Sequence, residues 1–364
     1  MIVTEVLVRT QPYSTETWLD RQRISTPMSR FPEFAERRSS WRGPGADLVW
    51  VLLRTDDPDV FGVGQSRGGA VTAALIAEHL RALVVGRDPG EIGLRVAQLR
   101  AATQPYADGG IAAMGVSAVE LALWDLHARR LDVPLTVALG GSVATPLRHY
   151  LTVPGGLLID SLDAEMVATA EAVKVPAAWG PHDGVAGLDR LVADVEAVRA
   201  HVPADTPIAV DAFMSWDISF TLRAIERLHH LGIAWIEEPL PPRDFEGYAE
   251  LRRSAQPVRI AGGEHLFSLA DLRRFVEGCA DIVQMDVTWC GGIGVSTAAA
   301  RLAADAGLVV APHAAGNQPW ALHLAAALAP DVLVEVLLGV DGADLPAPSD
   351  APGVGITPQA AGFA

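Results

Sequence analysis

Five acidic or imidazole side chains each close a short apolar run in the second half of the chain: Asp211 in IAVDAF, Glu237 in IAWIEEP, Glu264 in RIAGGEH, Asp286 in DIVQMD and His313 in LVVAPH. They follow one another at intervals of 22 to 27 residues, the length of one strand–helix repeat in a (β/α)8 barrel. In that fold the C-terminal strand ends share one rim, and the chemistry sits there. Three carboxylates converging on a rim repel one another unless a cation lies between them, and an oxygen-only donor set favours a hard ion, Mg2+ over Zn2+. Asp211, Glu237 and Glu264 are therefore the expected metal ligands. Glu238, directly after Glu237, is expected to face away by strand alternation and to be structural.

Asp286 and His313 fall on the next two strands. An Asp hydrogen-bonded to one imidazole nitrogen fixes the tautomer and raises basicity at the other, which makes a base poised near neutral pH. Lys174 is the only lysine; the other 27 of the 28 basic residues are arginines. A chain that keeps one ammonium at the end of its second barrel strand points to a task a guanidinium cannot do, such as a point charge on a substrate carboxylate or enolate oxygen. His265, beside Glu264, and Glu335, on the eighth strand, are candidate substrate contacts, and Arg38 in RRSSW is the candidate lid residue reaching the substrate.

The elements that must hold these groups follow two patterns. Residues 1 to about 65 alternate apolar and polar (IVTEVLV, DLVWVLLRT, FGVGQS), as half-buried antiparallel strands do, around a long Arg- and aromatic-rich loop read as a functional lid. Helical periodicity follows in VTAALIAEHLRALVVG, EIGLRVAQLRAAT and AAMGVSAVELALWDLHARRL. From about His149 short apolar runs alternate with amphipathic helices, with strands expected near 148–153, 172–176, 207–211, 233–237, 259–263, 281–285, 308–312 and 332–336. The fold class is thus α/β, a (β/α)8-type barrel with an N-terminal α+β capping domain completed by the C-terminal segment. The expected domains are 1–115 for the cap, with 345–364 returning to it, and 116–344 for the barrel.

Composition limits the function classes. The 364 residues are 50% hydrophobic, enough for a large core, and the net charge of −16 argues against a nucleic-acid partner. Cys279 and Cys290 have neither metal-motif nor framework spacing and read as reduced, buried thiols. Met1 opens a strand-like segment rather than a signal sequence, and no run of about 18 uninterrupted apolar residues occurs. A cytoplasmic homo-oligomer with a small-molecule partner and no membrane association is expected.

Longer segments around these residues carry a family likeness. TPMSRFPEFAERRSSW, SAVELALWDLHAR, WGPHDGVAGL, DAFMSWD, WIEEPLPPRDFEGYAELRR, AGGEH and QMDVTWCGGI resemble the mandelate-racemase subgroup of the enolase superfamily, most closely its L-rhamnonate dehydratase-type acid-sugar dehydratases. The resemblance implies Mg2+ on Asp211, Glu237 and Glu264, an Asp286–His313 catalytic dyad, and Lys174 touching the substrate carboxylate. It implies removal of an α-proton, a metal-stabilised enediolate and loss of a β-hydroxyl, giving a 2-keto-3-deoxy acid. Many relatives carry a second basic lysine two residues after the first; here that position is Pro176, which favours elimination over racemisation. Other positions depart from the pattern. Arg21, Gln22 and Arg23 stand where relatives carry a lid histidine, Ala177 and Ala178 replace a polar segment, and Ala314, Ala315 and Gly316 replace a Gly-Ser-Ser. A racemase or epimerase acting on a carboxylate, and a metal-binding barrel without turnover, stay open as alternatives.

Overall fold

A computed structural model describes residues 1–12, 22–34, 47–153, 164–338 and 347–363. Arg38, the expected lid contact, and Arg21 lie outside the described residues. The N-terminal strands β1 (Val3–Gln11), β2 (Leu48–Thr55) and β3 (Phe61–Ser66) form an antiparallel sheet in the order β1-β2-β3. One face of this sheet buries Val6, Val49, Val51 and Leu53 against Val116, Val119, Ala122, Leu123 and Leu126 of the helix Ile111–Arg130.

By length and composition that helix could cross a bilayer, but most of it is buried inside the fold, so it is a core helix. The boundary expected at residues 115 and 116 falls within it, and its packing places it with the cap sheet. The C-terminal segment also returns to this helix. Val354 N donates to Asp125 Oδ1 at 2.8 Å, Arg129 Nη2 donates to Ile356 O at 2.6 Å, and Arg9 of β1 donates to Ala361 O.

Eight parallel strands follow: β4 (Arg148–Thr152), β5 (Val173–Pro176), β6 (Ile208–Asp211), β7 (Ile233–Glu237), β8 (Arg259–Gly262), β9 (Ile282–Val283), β10 (Val309–Val310) and β11 (Leu333–Leu337). They pair in the order β10-β9-β8-β7-β6-β5-β4-β11, and a bridge between Val310 and Val332 closes the ring. All eight lie where the apolar runs place them. β9 and β10 are shorter than expected; after β10, Pro312 has no amide with which to continue a ladder.

Period-2 alternation inside the barrel makes two layers. The floor is Tyr150, Ala172, Ala209, Trp235, Ala261, Ile282, Ala311 and Leu333, one residue from each strand or its flank. Its two large rings, Tyr150 and Trp235, meet edge to face at 5.3 Å and fill the space that the four alanines leave. Two residues further along each strand come Thr152, Lys174, Asp211, Glu237, Gly263, Gln284, His313 and Glu335. A largely apolar plug thus lies directly beneath a layer of polar and charged groups, which it meets through Tyr150 and Trp235.

Candidate active site and metal centre

Lys174 is 1% exposed and lies among three acids. Its Nζ is 2.5 Å from Glu237 Oε1, 2.6 Å from Glu335 Oε1 and 3.9 Å from Asp211 Oδ2. Burial alone lowers an ammonium, but Glu237 and Glu335 outweigh it and hold Lys174 well above the usual lysine range. It is a fixed cation and cannot serve as a base. Glu335, fully buried, joins the two basic arms of the site. Its Oε1 accepts from Thr152 Oγ1 at 2.5 Å, while its Oε2 accepts from Ala314 N at 2.7 Å and lies 3.2 Å from His313 Nδ1. Glu237 Oε2 accepts from Gln284 Nε2 at 2.5 Å.

The imidazole arm differs from the expected dyad. His313 Nδ1 lies 2.6 Å from Glu264 Oε2, though off line for an aligned hydrogen bond. Asp286 makes no hydrogen bond to His313 among the described residues. One Asp286 oxygen accepts from Thr288 N and Thr288 Oγ1, both at 2.7 Å, and the other accepts from Gln318 Nε2 at 3.0 Å. The loop donors occupy Asp286, and the more numerous negative charges of Glu264 and Glu335 draw the ring. Asp286 acts on His313 through its charge alone. With Nδ1 toward the acids, Nε2 is the nitrogen left for a substrate.

Glu238 does not face away. β7 ends at Glu237, and Glu238 takes φ +40°, which swings its side chain back to the rim. Its Oε2 is 2.7 Å from His265 Nδ1, and its buried Oε1 has no hydrogen-bond partner. Burial lowers His265, but Glu238 and Glu264 overcome this and raise it to about 9. Trp289 packs against both imidazoles, its ring 5.5 Å from His265 and 5.5 Å from His313. Phe213, Met214, Glu238 and Ala314, four of the five described non-glycine residues with positive φ, all follow strands at this rim, as strain gathered at a working site does. Glu264 reaches the layer because Gly263, at φ +118°, turns the chain just before it.

The acids divide into two close groups, Glu237 with His313 and Glu335, and Glu238 with Glu264 and His265; Asp211 stands outside both. The three expected ligands thus fall in different places, Glu237 in one group, Glu264 in the other and Asp211 in neither, with Lys174 between Asp211 and Glu237 and the three carboxylates acting on one another through charge. Burial raises Asp211 to about 6, with Glu264 and Glu238 adding to it. Burial likewise raises Glu237 to about 8, with Asp211 and Glu335 adding. His313 and His265 overcome burial at Glu264 and bring it down to about 2. Six carboxylates thus face three basic groups, and the orphaned Glu238 oxygen lies among them. Such a donor set fits a hard divalent cation. Thr152, Gln284 and Glu238 escaped sequence reasoning. Period-2 alternation from the apolar floor marks the first two, and no pattern foretold the turn at Glu238.

Residues 22–34, part of the segment read as a lid, meet the loop after β5. Ser25 N donates to Ala177 O at 2.8 Å, and the Arg23 guanidinium bonds Ala178 O and Asp183, each at 2.7 Å, and lies 4.1 Å from the Trp179 ring. Arg23 ties this segment to the barrel.

Known proteins resemble this chain in sequence and fold. Residues 160–362 match the family model described as enolase C-terminal domain-like, and residues 44–140 match the N-terminal domain of mandelate racemase and muconate lactonizing enzyme. Rhamnonate dehydratase from Gibberella zeae, complexed with Mg, is 28% identical with a TM-score of 0.87, covering 99% of this chain and 95% of its own. A second structure, of L-rhamnonate dehydratase from Gibberella zeae, is 29% identical with a TM-score of 0.85 over the same shares. A racemase from Streptomyces coelicolor A3(2), with bound magnesium, is 25% identical with a TM-score of 0.74, covering 98% of this chain and 97% of its own.

Proposed function

The chain belongs to the enolase superfamily, and on that footing we propose that it is a Mg2+-dependent acid-sugar dehydratase converting an aldonate-like acid to a 2-keto-3-deoxy acid. One observation carries the choice of elimination. Lys174 is locked between Glu237 and Glu335, and position 176 is proline, so no lysine can serve as a base opposite His313. A racemase needs bases on both faces of the α-carbon; a dehydratase needs one.

Asp211, Glu237 and Glu264 would hold the ion. When bound, Mg2+ supplies Lewis-acid stabilisation of charge on the substrate carboxylate and offsets the Glu264 charge that favours the imidazolium. His313 Nε2 takes the α-proton. The Lys174 ammonium meets negative charge as it develops on the carboxylate oxygens, already oriented by its two carboxylate partners. Loss of the β-hydroxyl with a proton as water leaves an enol that becomes the keto acid. His265, held by Glu238, is placed to bond a substrate hydroxyl. The Ala314, Ala315 and Gly316 backbone offers no hydroxyls, which suits an acid with fewer polar groups than rhamnonate.

The test is incubation with Mg2+ and an aldonic-acid library, assaying 2-keto acid. No product from any member, with folded and metal-loaded protein, sinks the reading. The racemase likeness keeps epimerisation as the second reading. Deuterium from solvent at the α-carbon of recovered substrate, without keto acid, selects it.

A further inference from the structure

The CGG of the segment QMDVTWCGGI has no part in the proton chemistry, yet its backbone is unusual. Gly291 and Gly292 take φ of +112° and +90°, and a Cβ on Gly292 would lie 1.6 Å from Glu120 Oε2. Glu120 belongs to the cap helix Ile111–Arg130, whereas the glycines lead into the barrel helix Ile293–Asp305. That barrel helix has no side-chain cap of its own at Gly292. Glu120 supplies one across the domain seam: Oε2 accepts from Ile293 N at 2.5 Å and Oε1 from Gly294 N at 2.8 Å. Three further cap groups hold the same loop. Ser66 Oγ donates to Thr288 O at 2.7 Å, Ser117 Oγ accepts from Gly291 N at 2.9 Å, and Arg100 Nη2 donates to Gly291 O at 3.2 Å.

We propose that Glu120 is a positioning residue: it fixes, from the cap, the barrel loop that carries Asp286 and Trp289 and thereby sets the surroundings of His313 and His265. This rests on the reading of the rim as an enolate site. The chain of contacts runs from Glu120 to the first amides of the barrel helix, back through the two glycines to Thr288, and from Thr288 N and Oγ1 to Asp286. A carboxylate suits the task because it accepts from two amides at once and carries the charge that a helix N-terminus favours. Glutamine has one acceptor and would turn an N–H toward the second amide.

Glu120 is 2% exposed, and burial raises it to about 7, against the two amides and Arg100. The titratable and charged groups facing it are Arg100 from the helix Ile92–Thr103 and Cys290 from the loop itself. The clasp therefore tightens as Glu120 ionises through neutrality, while the overall stability that Glu120 contributes falls between about pH 4.5 and 7, because the folded chain holds the proton more tightly than the unfolded one.

Amide hydrogen exchange on the full chain tests this without a substrate. In Glu120→Gln at pH 8, segment 286–294 should exchange about five- to tenfold faster than in wild type after correction for intrinsic rates, as for the loss of one charge-assisted hydrogen bond. Leu53→Ala, which hollows the cap core, should lower stability without this local change. Equal protection of the segment in Glu120→Gln and wild type, or equal opening by Leu53→Ala, overturns the proposal. Should the glutamine variant not fold, wild type alone decides: protection of 286–294 relative to the cap helix must fall from pH 8 to pH 6, and a constant ratio overturns it. With the loop loosened, keto-acid formation by Glu120→Gln should lose kcat and keep KM. Faster exchange in a protein that turns over no acid sugar defeats the dehydratase reading and leaves the clasp standing.

Discussion

The apolar floor of the barrel and the charged layer two residues above it are built by the same eight strands and obey opposite rules. In the floor, Tyr150 and Trp235 fill space against alanines and are held chiefly by volume, each with one long polar contact to the layer above, Tyr150 to Gln284 and Trp235 to Glu237. In the layer above, Lys174, Glu237, Glu335, His313 and Glu264 hold one another by charge. A volume can be supplied by several residues. A buried charge needs a particular partner, and removing one member leaves the others uncompensated. The floor thus makes the barrel, while the layer makes it a site.

The strongest blow to that contrast falls on chemistry rather than on folding. His313→Asn removes the base, so α-proton exchange and keto-acid formation should fall by about 10³-fold or more, with a smaller fall in melting temperature from the partner lost to Glu264 and Glu335. Activity near the wild-type level in a sensitive assay would support a different base, or a barrel without turnover. Next is Lys174→Met, which strands Glu237 and Glu335 as buried anions and should cost about 3–5 kcal/mol at pH 8. The loss should shrink near pH 5, where Glu335, no longer held low by Lys174, takes up a proton. Urea unfolding at the two pH values measures it. A pH-independent loss would mean that Lys174 is held by packing, as a floor residue is.

Trp235→Ala supplies the opposite case. Truncating the floor's largest ring should cost about 3 kcal/mol and vary little between pH 5 and pH 8, since its one contact with a titrating group is the long Nε1 donation to Glu237 Oε2 at 3.4 Å. Mg2+ binding, followed by the metal-induced rise in melting temperature, should survive at temperatures where the variant is folded. A loss that varied steeply with pH would join the two layers into one electrostatic unit.

Much of this division was legible in the sequence, and the reasons it was not fully so are local. The eight strands could be placed because each apolar run is bounded by turn residues, and five strand-end side chains carried the spacing of the repeat. The partners of those side chains were not legible. Asp286 and His313 are consecutive along the ladder, but Asp286 bonds Thr288 and Gln318 instead, a competition that spacing cannot display. Glu238 obeys alternation only up to the end of β7, and its positive φ is a tertiary demand. The cap boundary was drawn through the helix Ile111–Arg130 because periodicity shows that a helix exists and not which sheet it covers. Arg23, read only as the substitute for a histidine, ties its segment to Trp179 and Asp183.

The smallest expected effect tests the edge of the charged layer, where it opens to the rim. His265 is raised to about 9 by Glu238, so the stability of this pair is fully present below about pH 6.5 and is lost as pH rises through 9. In Glu238→Gln the imidazole keeps a neutral hydrogen-bond partner but loses the charge, and the decline in unfolding free energy across that window should shrink by about 1–2 kcal/mol. Glu264, only 3.4 Å from His265 Nδ1, should retain part of the effect. Denaturant melts at half-unit steps between pH 6 and pH 9.5 resolve the difference. If wild type and variant decline in parallel, then Glu238 does not charge His265, its turn back to the rim serves packing, and the boundary between the two layers lies lower in the barrel than the contacts of Glu238 place it.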